Sequence, residues 1–276
     1  MIKFVLRKTE SEDLSVDTLK KEDSSNTPEI KLNNSNVIKN ISYDQKEILY
    51  NIMQLYNNGE PYDCDITASS LKFYEVKKSD KYIIPEPKLL FDVYPQQEKI
   101  KQIKPFHKLP LEDNSIGSMV VDLPFVISPK TCASMKTDKD NSCLIARRFA
   151  SFYPYQELYD TIYWFINECN RVLKDDGIVV WKMQDTISGS IFHNSVEFSK
   201  ICAQDLGMYL IDEFFLIAKA RLISSAKIKK QQHARKYTSS FLVIKKNKKL
   251  GEKFSPLKML QFCKENVFEG KEYEFK

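Results

Sequence analysis

Glycine is scarce in this chain: seven in 276 residues, at positions 59, 117, 177, 189, 207, 251 and 270, with no G-x-G pair among them. The sequence therefore lacks the paired glycines with which nucleotide-binding loops let their backbone approach a ligand. Histidine is scarcer, and His107, His193 and His233 stand far apart. Six cysteines (Cys64, Cys132, Cys143, Cys169, Cys202 and Cys263) are scattered without a C-x-x-C pair. Zinc sites announce themselves by close ligand spacing, so no metal site is expected and all six cysteines are read as reduced thiols. No run of about 18 apolar residues is present to span a bilayer. The start, MIKFVLRKTESEDL, turns charged too soon for a secretory signal. The expectation is a cytoplasmic chain with no membrane association.

What is present is material for a core, since 42% of residues are hydrophobic and 12% aromatic. Charge is unevenly spread. Between Lys219 and Lys253 there are twelve Lys or Arg against one acid, Glu252, a local +11 in a chain of net charge +5, so the remainder carries −6. Such a concentration is the footprint of a polyanion-binding surface; a solvated basic face is the alternative.

Residues 1–40 are rich in Ser, Asn, Lys, Asp and Glu and can bury little, so a flexible polar arm is expected there. In QKEILYNIMQLYNNG, Ile48, Leu49, Ile52, Met53 and Leu55 recur at helical spacing before an Asn-Asn-Gly stop. Short apolar strands follow in YDCDIT, KLLFDVY, SMVVDLPF and GIVVWKM. Between the last two, Leu158, Ile162, Phe165, Ile166, Cys169 and Leu173 form one helical stripe. Strand, helix and strand with one-sided stripes predict an α/β fold with a mostly parallel sheet covered by helices. MYLIDEFFLIA and TSSFLVIKK predict an antiparallel pair at the sheet edge. The expected division is an arm over 1–40, a principal domain over 41–250 and a helical tail over 251–276.

Ligands of open α/β sheets gather at the carboxyl ends of the strands. Polar groups cluster around the predicted ends: Asp63 and Asp65 after the first strand, Asp92 in the second, Asp113 and Asn114 just before the strand that Asp122 closes, and Lys182, Gln184 and Asp185 closing the next. Together they outline a cleft. The long basic stretch after Asp122 brings Arg147, Arg148, Phe149, Phe152 and Tyr153 close together, which suits phosphate contact and base stacking; the aromatics serve equally as anchors to the core.

Asp122-Leu123-Pro124-Phe125 resembles the D-P-P-Y/F motif of the DNA amino-methyltransferases that use S-adenosylmethionine (SAM), the phage and bacterial N6-adenine or N4-cytosine enzymes. LPLEDNSIGSMVVD resembles the stretch before that motif, RVLKDDGIVVW the helix, turn and strand after it, and QQHARKYTSSFLVIKK the closing hairpin of a phage and bacterial subgroup. The similarity covers roughly residues 45–247. It implies a Rossmann-like class I methyltransferase with an antiparallel C-terminal hairpin, SAM as cofactor, and a cofactor half that precedes the amine half. YDCDITAS stands where the family has F-x-G-x-G. The resemblance thus implies a cofactor set of Asp63, Asp65, Thr67, Asp92, Asp113 and Asn114, with Asp92 on the ribose hydroxyls.

Leu123 replaces the family's first proline. An exocyclic amine is a poor nucleophile, so the enzyme must hold it in line and accept hydrogen bonds as it pyramidalises. By resemblance the acceptors are the Asp122 side chain and the Leu123 carbonyl, with Pro124 fixing the turn and Phe125 stacking on a flipped base. Leucine keeps the carbonyl. Arg147, Arg148, Lys229, Lys230, His233, Arg235 and Lys236 are the expected nucleic-acid contacts. Asp at the first motif position inclines the expectation to adenine N6 in DNA. An RNA enzyme of the transfer-RNA guanine-N2 type, which D-L-P-F also resembles, and a non-catalytic nucleic-acid or partner-binding protein stay open, as does a partner subunit or homodimer.

Overall fold

A computed structural model describes residues 37–133, 150–219, 233–253 and 255–266. The chain separates into Met1–Val37 and a compact unit, Ile38–Lys276, in which almost all described residues fall.

An eight-stranded sheet is the frame. Its strands are Ile41–Ser42 (β1), Cys64–Asp65 (β2), Leu89–Asp92 (β3), Lys101–Gln102 (β4), Ile116–Asp122 (β5), Leu173–Met183 (β8), Met208–Ile217 (β11) and Thr238–Lys246 (β12), in the spatial order β1-β11-β12-β8-β5-β2-β3-β4. All neighbours are parallel except at β12, which runs antiparallel to both β8 and β11. This is the Rossmann-like class I methyltransferase arrangement expected above, mostly parallel with an antiparallel C-terminal hairpin. The hairpin is not the edge, however: β1 pairs outside β11. Two further pairs sit beside the sheet, Val126–Ile127 (β6) with Ser151–Phe152 (β7) and Thr186–Ser188 (β9) with Ile191–His193 (β10).

Period-two alternation assigns each strand residue to one of two cores. From β5, β8 and β12, Met119, Val121, Val179, Trp181, Met183, Leu242 and Ile244 face one cluster, which the stripe Leu158, Ile162, Phe165, Ile166 and Cys169 of Tyr155–Val172 (α2) and Ala203 of Ser195–Asp205 (α3) complete. Val120, Val180, Phe241 and Val243 face the other, with Ile48, Leu49, Ile52 and Met53 of Gln45–Tyr56 (α1). Asp44 caps α1 by accepting the Lys46 N–H, and the predicted stop works through left-handed Asn58 and Gly59, whose N–H returns to Met53 O. Two short helices follow β12, Lys248–Lys253 (α4) and Pro256–Asn266 (α5).

The helical cover is thinner than the sequence suggested. Among the described residues no helix connects β2 to β3, β3 to β4 or β4 to β5. The segment 66–88 instead covers its face with turns, burying Leu71, Phe73, Tyr74 and Ile84 beside α1. Cys64, Cys169 and Cys202 are free and buried, but Cys132 is disulfide-bonded, which corrects the expectation of six reduced thiols. No helix among the described residues is long and apolar enough to cross a membrane.

Candidate active site

The strand order creates a switch point between β2 and β5: from β2 the chain moves outward through β3 and β4, then returns to the other side of β2 as β5. Ligand crevices form outside the carboxyl ends of strands at such a point. Asp65 closes β2, Asp92 closes β3 and Asp122 closes β5, so these three share that edge.

Thr67 ties the edge together. Its hydroxyl donates to Asp65 Oδ1 at 3.1 Å and accepts the Asp122 N–H at 2.7 Å, while its own N–H donates to Asp65 Oδ1 at 2.8 Å. Tyr74 donates its hydroxyl to Asp65 Oδ2 at 2.7 Å. Asp65 is thus enclosed, and burial pushes its carboxyl up to about 7 despite these donors. Asp92 holds the neighbouring turns, taking the Ser69 N–H at 2.8 Å on Oδ2 and the Tyr94 N–H at 2.7 Å on Oδ1. Desolvation raises its carboxyl above the usual range against those two donors.

The loop after β2 has a backbone its letters conceal. Ser69 (φ 47°) and Leu71 (φ 61°) are both left-handed, two residues apart, the conformations for which glycine is the ordinary choice. A G-x-G pair is missing from the sequence, yet its spacing of left-handed residues is present.

Asp122 carries a partner not foreseen as one. Lys182, directly opposite it on β8, sets Nζ 2.8 Å from Asp122 Oδ2. The side chains are 13% and 28% exposed respectively. Leu123 is buried, whereas Pro124 and Phe125 are half-buried, Phe125 packing against the α2-side core. Gln184 and Asp185 are structurally engaged: Gln184 accepts from the Ser239 hydroxyl and Asp185 from the Val196 N–H at the start of α3.

Three of the expected cofactor residues stand elsewhere. Asp63 precedes β2 and accepts the Gly117 and Ser118 N–H groups, bracing β2 to the start of β5. Asp113 and Asn114 precede β5 at the amino edge, where Asp113 pairs with Arg171 at 2.6 Å and Asn114 accepts from Lys246. A residue before a parallel strand and one after it lie at opposite edges of the sheet, which removes Asp63, Asp113 and Asn114 from the carboxyl-edge cleft.

The basic run is divided in the same way. β12 spans nine residues, about 30 Å of strand, so His233, Arg235 and Lys236 lie at the carboxyl edge and Lys245 and Lys246 at the amino edge. There Lys245 pairs with Asp176, and Lys246 donates to Asn114 and the Leu173 carbonyl. Arg147, Arg148, Lys229 and Lys230 lie outside the described residues, as does Phe149. Phe152 is wholly buried and serves as an anchor, while Tyr153 beside it is exposed.

Chemistry, not cavity size, singles out this edge. A cavity of about 450 Å³ lies on the outer face of α2, among Phe106, Tyr159, Tyr163, Trp164 and Phe198. Another of about 290 Å³ lies between Gly207 and Leu257. Neither includes a residue of the cleft. Among the described residues no group of three His, Cys, Asp or Glu gathers that could hold a metal ion.

No protein-family profile matches the chain, and no curated protein does. Solved structures resemble it at low identity. A candidate DNA modification methylase from Thermus thermophilus, solved with S-adenosylmethionine, is 12% identical over 50% of this chain and 50% of its own, with a TM-score of 0.34. The PvuII cytosine-N4-specific DNA methyltransferase is 16% identical over 50% and 45%, with a TM-score of 0.32. A candidate hemolysin from Lactococcus lactis is 10% identical over 72% and 86%, with a TM-score of 0.39. This chain spans half or less of the two DNA enzymes, and likenesses of this order decide neither substrate nor activity.

Proposed function

We propose that this chain is a SAM-dependent methyltransferase acting on the exocyclic amine of a DNA base, with adenine N6 the expected target. One observation carries the reading: Asp122 closes β5 at the switch point and leads into Leu123-Pro124-Phe125, tied through Thr67 to Asp65 on β2, with Asp92 closing β3 on the far side of β2. The residues present fit the cofactor. Ser69 and Leu71 supply left-handed backbone without glycine, and Asp92 offers ribose hydroxyls a half-buried carboxylate whose oxygens each have further acceptor capacity. Asp92 and the 67–70 turn would hold SAM, which supplies an electrophilic methyl group. Enclosed Asp65 acts as a positioning residue through Thr67 and Tyr74.

The remaining work belongs to the chain's own groups. Lys182 holds Asp122 Oδ2, leaving Oδ1 to accept an amine N–H, and the Leu123 carbonyl accepts the second. These bonds strengthen as the nitrogen pyramidalises and gains positive charge, so they favour the transition state over the ground state. The nitrogen's surplus proton passes to water. Half-buried Phe125 offers the flipped base a ring while its other side packs on the core.

A second reading, a non-catalytic nucleic-acid or partner-binding protein, is favoured by one specific observation, that Asp122 is already ion-paired with Lys182. Incubation with labelled SAM and pools of DNA and RNA, followed by nucleoside analysis, tests both. N6-methyladenine in DNA is the expected product. N4-methylcytosine, or N2-methylguanine in RNA, would change the substrate, and SAM binding with no transfer would leave the second reading.

A further inference from the structure

The hairpin β9–β10 is not needed to build the sheet. Its two-residue turn, Gly189-Ser190, is left-handed at both positions (φ 56° and 63°), as a type I′ turn requires. The hairpin leaves the carboxyl end of β8, and β9 lies against β6, the strand that follows Phe125. Its base is well anchored. His193 is buried with its ring 5.6 Å from Tyr155 and 6.4 Å from Tyr159, and Asp185 takes the Val196 N–H at 2.9 Å. Near the turn, by contrast, Ile191 is 58% and Phe192 47% exposed. Lys236 sets Nζ 4.6 Å from the centroid of the Phe192 ring, and exposed Tyr237 follows it just before β12.

We propose that this hairpin is a stacking platform for an unpaired base, with Phe192 as the ring and Arg235 and Lys236 meeting the phosphates, a role that presupposes the nucleic-acid reading above. Apolar side chains beside an exposed turn fill no core and gain little from folding. A rigid base holding them beside the Asp122 cleft suits a partner that brings its own flat apolar face and negative charge. Single-stranded nucleic acid does so, because every base has a π-face and every linkage a phosphate. Drawing one base into the cleft unstacks its neighbours, and a ring one hairpin away replaces part of the stacking they lose. Lys236 serves both parts, lying over the ring and carrying charge for the strand.

The test uses the full chain and labelled single-stranded DNA of about 20 nucleotides, which exceeds the length one such groove binds. Phe192→Trp puts an indole at the platform. Its emission, taken as the difference from wild-type protein with Trp164 and Trp181, is expected to be quenched on binding. Phe192→Ala is expected to weaken binding about tenfold with an unchanged unfolding midpoint, in line with the loss of one stacked base. An unquenched Phe192→Trp together with wild-type affinity in Phe192→Ala overturns the proposal, as does a wild-type protein that binds no nucleic acid. Neither readout needs SAM or turnover. Quenching without methyl transfer therefore keeps the platform and removes the proposed activity, and transfer without quenching or loss of affinity does the reverse.

Discussion

Lys182 Nζ lies 2.8 Å from Asp122 Oδ2, and the two residues face each other directly across β8 and β5. The same ammonium is 5.3 Å from the Phe73 ring centroid, 5.7 Å from that of Phe241 and 3.4 Å from Gln45 Oε1. Strand β5, the 66–88 turns, β12 and α1 thus converge on one cation of β8, and that cation holds the carboxylate on which the proposed chemistry depends.

Such a pair should behave as a unit in unfolding. Asp122→Ala leaves a largely enclosed ammonium without its carboxylate, and removing one partner of a buried pair is worse than removing both. Because Asp122 is partly exposed, the loss is expected at about 2 kcal/mol, below the fully buried range. Adding Lys182→Met should restore at least half of it. Urea unfolding of the two single variants and the double variant closes the cycle; strictly additive effects would mean that the pair is not coupled.

Asp65 predicts a pH dependence of the fold. Burial raises its carboxyl from 3.8 to about 7, so the native state keeps a proton over the range in which the unfolded chain has released it. The native state then binds more protons than the unfolded one, and stability falls as pH rises from about 4 to about 7 and levels off above. Asp65→Asn cannot ionise and should lack that fall. The difference in unfolding free energy between wild type and Asp65→Asn should therefore favour wild type more at pH 5 than at pH 8; parallel curves would contradict the raised value.

How much of this was legible depends on which signal each part gives. Periodicity marked α2, whose Leu158, Ile162, Phe165, Ile166 and Cys169 are all buried, and apolar runs marked β5 and β8. Segment 66–88 has no period, because turns have none, and the sheet there was expected to carry helices. β1 and the β9–β10 pair are only two and three residues per strand, too short for alternation to register. Lys182 was visible as the end of a strand, but its partner is a matter of cross-strand register. Asp113 and Asn114 show the related failure, since proximity to a strand does not say which edge of the sheet a residue occupies. The left-handed backbone at Ser69 and Leu71 escaped because only glycine advertises it in a sequence.

The Ser69 conformation gives a direct test of the proposed cofactor loop. A β-branched residue at φ 47° is strained, whereas glycine adopts that backbone freely. Ser69→Gly should keep SAM affinity within about threefold, and Ser69→Val should lower it several-fold, because a β-branched side chain tolerates that backbone less well than serine does. Calorimetric titration with SAM reads both. Equal affinities would detach the loop from the cofactor.

Turnover tests Asp122 separately from stability. A carboxylate that accepts an amine N–H mainly in the transition state should be dispensable for SAM binding and essential for transfer. Asp122→Ala is expected to lose about a hundredfold or more in single-turnover methyl transfer with SAM affinity nearly unchanged. Undiminished transfer by a folded Asp122→Ala protein would refute the assignment.

The division of the basic run between two sheet edges makes the last prediction discriminating. Arg235 and Lys236 stand at the edge that carries Asp122, whereas Lys245 and Lys246, ten residues on, are held at the far edge by Asp176, Asn114 and the Leu173 carbonyl. Each phosphate contact on a single strand contributes about 0.7 to the slope of log affinity against log salt. Arg235→Ala with Lys236→Ala should therefore reduce that slope by about 1.4 and weaken binding most at low salt. Lys245→Ala with Lys246→Ala removes the same formal charge but should leave the slope unchanged and instead lower the unfolding midpoint, because those ammonium groups satisfy acceptors of the fold. If the two double variants lost affinity equally, nucleic acid would be answering to net charge and not to the carboxyl edge.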